Sequence, residues 1–323
     1  MSVAAIRLKA IVLFVASTCA TRADHDDKAV QSLIVAAYSA PREAFEKSVF
    51  PAFREHWRKQ SGRDVRVRAS YLGSGAQARA VIDGFPADIV VLALEPDIDK
   101  IAKKGLIASD WRMRTGQNGI VTRTAVALAV RTGNPKGVRD FKDLGRAGLE
   151  VVVANPVTSG AAMWTFLAFV GTRPVADALG EIRATVGNIV VMDKGARESI
   201  INFERGIGDV AVTYEQETVV ARRAGRRYDV VVPEATLVVE IPAAVVDRNV
   251  DARGTRASAE AFVRFLTTAE GERLMGEWGF HPARAAVPGV AKPFFVRDLG
   301  GWSKARELFG KDGAITRAVG DAR

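Results

Sequence analysis

The sequence predicts an α/β fold, and three observations carry that prediction. Short apolar runs of strand length alternate with amphipathic helical stretches almost throughout the 323 residues, the pattern of strands interleaved with helices. The most apolar of these runs, such as Val90–Leu94 and Val151–Ala154, are too short to cross a bilayer. One unit also recurs three times: an apolar strand, a glycine-bearing turn and a helix that starts on small residues. Its turns are Gly73-Ser74-Gly75, Thr158-Ser159-Gly160-Ala161 and Asp193-Lys194-Gly195-Ala196.

The first segment reads as a secretory leader. Arg7 and Lys9 precede an apolar run from Ala10 to Ala16, and small residues lead to Ala20 and Ala23. Residues 1–23 are therefore expected to be removed, with cleavage after Ala23 or after Ala20, leaving a periplasmic chain. Cys19 is the only cysteine and lies inside this leader, so the mature chain is expected to hold neither a disulfide nor a thiol. The bulky Thr18 before it argues against lipidation of Cys19.

Strands are predicted at Leu33–Ala37, Val65–Tyr71, Ile89–Ala93, Ala125–Val130, Val151–Ala154, Ile189–Met192, Val210–Thr213, Val230–Val232 and Ala243–Val246. Helices fill the intervals. The helix beginning near Pro41 carries Phe45, Val49, Phe53 and Trp57 on one stripe, with Arg54, Glu55, Arg58 and Lys59 turned outward. Pro51 inside it predicts a kink or a break, because proline removes a helix hydrogen bond. The polar end, residues 311–323, is expected to be loosely ordered. The length suits two domains, with no internal repeat or flexible linker between them.

The formal net charge of +9 suits an anionic ligand. Nucleic acid is not expected, because the positive residues are scattered and no recognition motif accompanies them. The cluster of Arg222, Arg223, Arg226 and Arg227 reads as a solvated helix end. Catalysis finds little support: Ser74 lacks the full nucleophile-elbow pattern, and the histidines are only His25, His56 and His281. With no phosphate-loop signature, dinucleotide fingerprint or metal-ligand spacing, no cofactor and no metal are expected.

The three turns point instead to an anion receptor. A helix start exposes backbone N–H groups without intrahelical partners, and its dipole favours negative charge. Any one such turn is ordinary loop chemistry. Three of them at the carboxyl ends of apolar strands fall where open α/β sheets bind ligands.

Longer motifs carry a resemblance. Gly73-Ser74-Gly75-Ala76-Gln77-Ala78-Arg79-Ala80-Val81-Ile82-Asp83-Gly84, followed by Ala87-Asp88-Ile89-Val90-Val91-Leu92-Ala93-Leu94, resembles the periplasmic sulfate-binding proteins of sulfate and thiosulfate ABC importers. The likeness continues through Gly133-Asn134-Pro135-Lys136-Gly137, Asn155-Pro156, Gly195-Ala196-Arg197, Phe203-Glu204-Arg205-Gly206-Ile207-Gly208-Asp209-Val210 and Gly300-Gly301-Trp302, in order and over nearly the whole mature chain.

The resemblance implies a two-lobed type II periplasmic binding protein fold. Each lobe would be a mixed sheet flanked by helices, with the ligand in the cleft between them. One lobe would comprise residues 30–124 and 240–310, the other residues 125–239. It further implies capture of sulfate or thiosulfate by a monomer that delivers it to an inner-membrane ABC permease. Carried over position by position, Ser39, Ser74, Ser159, Gly160, Ala161, Ala196 and Tyr214 would hold the anion, Ser74 with both its backbone N–H and its hydroxyl. Arg42 and Arg197 would lie behind them.

Departures fall around the same positions. The family's Tyr-Asp-Pro is here Tyr38-Ser39-Ala40-Pro41, its indole donor near Val212 is replaced by Tyr214, and an arginine behind the site is replaced by Met163. These changes leave molybdate, tungstate or phosphate as rival ligands, and an exported hydrolase or a signalling or adhesion protein as rival functions.

Overall fold

A computed structural model describes residues 30–115, 117–156, 159–171, 173–310 and 312–320. The expected leader and Cys19 lie outside the described residues. Ten strands join in one sheet: β1 (Gln31–Tyr38), β2 (Val65–Leu72), β3 (Ile89–Val91), β4 (Ile120–Arg131), β5 (Val151–Ala154), β6 (Ile189–Asp193), β7 (Val210–Tyr214), β8 (Tyr228–Val231), β9 (Ala235–Val245) and β10 (Lys292–Phe294). Their order is β2-β1-β3-β9-β4-β7-β5-β6, with β8 on β4 and β10 on β9.

The sheet has two parallel halves joined by two long antiparallel strands. In the first half β1 runs parallel to both β2 and β3, in a register that pairs Tyr38 with Leu72 and Ala37 with Val91. In the second, β5 runs parallel to β6 and β7, pairing Ala154 with Asp193 and Val151 with Val210. Between them, β4 pairs with β9 up to Ala125 and with β7 from Val126 onward. One strand thus belongs to both halves.

The apolar runs are unbroken because helices cover both faces of each half. Val35 and Ala37 face one core together with Phe45, Phe53 and Phe262, while Ala36 faces another with Val81, Val90 and Ile98. In the second half Val151 and Val153 join the larger core, and Val152 packs on the opposite face with Ile200 and Phe203. This alternation follows from the period of two along a strand.

Several details differ from the sequence reading, among them β4, which begins at Ile120 rather than Ala125. Pro51 does not end the helical segment, but the winding changes beside it: a π-helical turn, Phe45–Val49, runs directly into the α-helix Phe50–Ser61, and Pro51 falls in the first turn of the latter. The strand expected at Ala243–Val246 is the end of the longer β9, and β10 is additional. The segment 311–323 is not simply loose, since Ala314–Gly320 forms a helix with Ile315 and Ala318 fully buried. No described helix is long and apolar enough to cross a membrane.

Candidate functional site

The carboxyl ends of the two parallel halves meet. Tyr38, the last residue of β1, packs edge-on against Tyr214, the last residue of β7, with ring centroids 6.5 Å apart. The next residue, Ser39, brings its hydroxyl 3.4 Å from the point where a Cβ on Gly195 would stand. Gly195 is the N-cap of the helix Ala196–Glu204, which has no side-chain cap. Ser39, Gly195, Ala196 and Tyr214, distant in sequence, therefore converge.

An ion-pair network backs this junction. Arg197 Nη2 donates to Glu43 Oε1 at 2.5 Å and its Nη1 to Glu217 Oε2 at 2.9 Å. Glu43 follows β1 and Glu217 follows β7, so this guanidinium ties the two strand ends together. Burial pushes the Glu217 carboxyl up to about 7, against the opposing pull of Arg197. Arg42 instead lies over the Tyr71 ring, 5.5 Å from its centroid.

Ser74 opens the helix Ser74–Ile82 at the end of β2, beside the end of β1. Its hydroxyl donates to Asp97 Oδ2 at 2.7 Å and accepts from the Ala93 N–H at 3.1 Å. The single hydroxyl hydrogen is thereby committed to Asp97, which differs from the expectation that it faces a ligand. Ser159 caps the helix Gly160–Val170, its Oγ accepting the Ala161 N–H at 3.2 Å. That helix starts beside the Gly195 turn, because the Asn155 N–H donates to the Asp193 carbonyl at 2.7 Å.

Several buried polar atoms around the junction have no hydrogen-bond partner: the hydroxyls of Tyr38 and Tyr214, Glu43 Oε2 and Glu198 Oε2. Burial raises the Tyr214 phenol well above its ordinary value, so it is neutral and able to donate at physiological pH. Burial likewise raises the Asp193 carboxyl, opposed by hydrogen bonds from Asn202 and Ser199, with a smaller upward push from Glu198.

Sequence reasoning missed Asp97, Glu43, Glu217 and Glu198. Only Glu198 has a local signal, standing three residues after the N-cap as in a capping box. Met163, where the resemblance expects an arginine, lines an apolar cavity of about 390 Å³ with Phe166, Met192, Phe309, Ile315 and Val319. The last helix thus covers that position with hydrocarbon. Among the described residues no group of three or more His, Cys, Asp or Glu is arranged to hold a metal ion.

Comparison with known proteins gives concordant matches. Residues 33–281 match the family described as bacterial extracellular solute-binding protein. A sulfate-binding protein of Synechococcus elongatus is 40% identical over 291 residues, covering 86% of this chain and 83% of the relative. A thiosulfate-binding protein of Pseudomonas aeruginosa is 36% identical, covering 89% and 91%. The solved sulfate-binding protein SubI from Mycobacterium tuberculosis H37Rv superposes with a TM-score of 0.78 at 34% identity, covering 85% of this chain and 97% of that one.

Proposed function

Since this chain belongs to the bacterial extracellular solute-binding protein family and has sulfate-binding proteins among its homologues, we propose that it captures sulfate or thiosulfate in the periplasm and delivers it to an ABC permease. The family is one of binding proteins with the two-lobed type II fold, not of enzymes. In this reading residues 30–124 with 240–310 form one lobe and residues 125–239 the other. The exchange of partners along β4 between Ala125 and Val126 supports that division.

The observation that carries the reading is the convergence of Ser39, Gly195, Ala196 and Tyr214 where two sets of strand ends meet. Sulfate only accepts hydrogen bonds, and backbone N–H groups at helix starts supply donors that need no counter-charge. Ser39 and Ser74 contribute backbone N–H groups from one side, while Gly160 and Ala196 contribute them from the other, the Ala161 N–H being held by Ser159 Oγ. The Tyr214 hydroxyl, buried and without a partner, donates from the end of β7. Arg197 fixes the framework rather than touching the anion, because its guanidinium already spans two carboxylates.

Isothermal titration of the dialysed mature protein with sulfate and thiosulfate, with chloride as control, tests this function. Saturable 1:1 binding is expected, weakened at least tenfold by Gly160→Val with the circular dichroism spectrum unchanged. Binding unaffected by that substitution would remove the helix start from the site.

A further inference from the structure

The Gly195 helix start holds an acceptor among its donors. Glu198 Oε2 lies 2.6 Å from the point where a Cβ on Gly195 would stand, the same point that the Ser39 hydroxyl approaches. This oxygen is buried and has no hydrogen-bond partner. Asp193 nearby differs, since its carboxylate is held by the side chains of Asn202 and Ser199. A carboxylate offers lone pairs and no hydrogen, so a fully ionised sulfate cannot satisfy it and is repelled by it. Leaving a buried acceptor unsatisfied is costly, and a ligand bearing a hydrogen would recover that cost.

We propose that Glu198 is the specificity-determining residue of the anion site, accepting a hydrogen bond from an oxyanion that carries one proton, such as hydrogen phosphate or hydrogen arsenate. The inference rests on the anion-site reading above. The site then admits protonated oxyanions alongside sulfate and holds sulfate less tightly than an uncharged side chain at this position would allow. A glutamate confined to stabilising its own helix dipole would leave ligand preference alone.

The test is titration calorimetry of wild type, Glu198→Gln and Glu198→Ala with sodium sulfate and sodium phosphate at pH 7.5 and constant ionic strength. Wild type is expected to bind both. In Glu198→Gln, sulfate should tighten about tenfold and phosphate weaken about tenfold, the loss of one charge-assisted hydrogen bond. Glu198→Ala should move in the same direction, which guards against a folding defect peculiar to one variant. Wild type that binds sulfate but not phosphate, or variants that keep the wild-type ratio, would overturn the role of Glu198 and leave the sulfate site standing. If no variant and no wild type binds either anion, the anion-site reading itself fails.

Discussion

The two strand edges that meet at Tyr38 and Tyr214 treat the polar side chains at their helix starts differently. On the edge formed by β2, β1 and β3, the site serine is held from within: Ser74 gives its hydrogen to Asp97 and receives one from Ala93. On the edge formed by β6, β5 and β7, the Tyr214 hydroxyl and Glu198 Oε2 are buried and unpaired. The Ser74 helix start is thus satisfied from within, although the Tyr38 hydroxyl and Glu43 Oε2 on the same edge are buried without partners. The second edge holds groups whose desolvation only an outside partner can offset.

Breaking the first edge should cost the most stability. Asp97 is 1% exposed and serves both Ser74 and Lys100, so Asp97→Ala is expected to destabilise the fold by about 3 kcal/mol in urea titrations, leaving a buried hydroxyl and an ammonium without their acceptor. A loss confined to affinity would mean that the first edge is no more self-sufficient than the second.

The junction between the edges should read out as pH dependence. An unfolded glutamate loses its proton near pH 4.5, whereas Glu217 in the fold keeps its proton up to about 7. Folded protein binds more protons than unfolded protein in that window, so stability should fall as pH rises through it and level off above 7. The expected fall is on the order of 2 kcal/mol, and Glu217→Gln should flatten it in urea midpoints taken from pH 5 to 8. An unchanged slope would assign the titration to other groups.

The second edge should respond in affinity rather than stability. Tyr214→Phe removes a hydroxyl with no partner in the protein, so anion affinity is expected to drop about fivefold while the melting temperature holds. Smallest of all, Ser159→Ala should cost about 1 kcal/mol through loss of the cap on the Ala161 N–H, seen as a modest shift in urea midpoint. Equal stability losses from Tyr214→Phe and Asp97→Ala would erase the contrast between the edges.

Much of this arrangement is legible in the sequence because it is local. The glycine turns at Gly73, Gly160 and Gly195 announce helix starts, and the apolar runs before them announce strands buried on both faces. Pairings across the chain leave no such trace. Ser74 meets Asp97 only after a helix and a strand have folded between them, and Arg197 meets Glu43 only when the two halves come together. The helix Ala314–Gly320 is too short to show a period of its own, and its burial rests on Ile315 and Ala318 against a surface that other segments build. Strand β9 read short because its N-terminal residues gain a strand's environment only between β4 and β10.

The shared strand β4 has a consequence for how this protein tolerates change. Its residues up to Ala125 are aligned by β9 and those from Val126 by β7, so one reading frame serves two structures. Deleting a single residue within it would turn every following side chain to the opposite face and misplace the Tyr214 end relative to the Tyr38 end. Surface loops can absorb insertions, whereas β4 acts as a ruler common to both halves of the sheet, so a change in its length is felt on both sides at once.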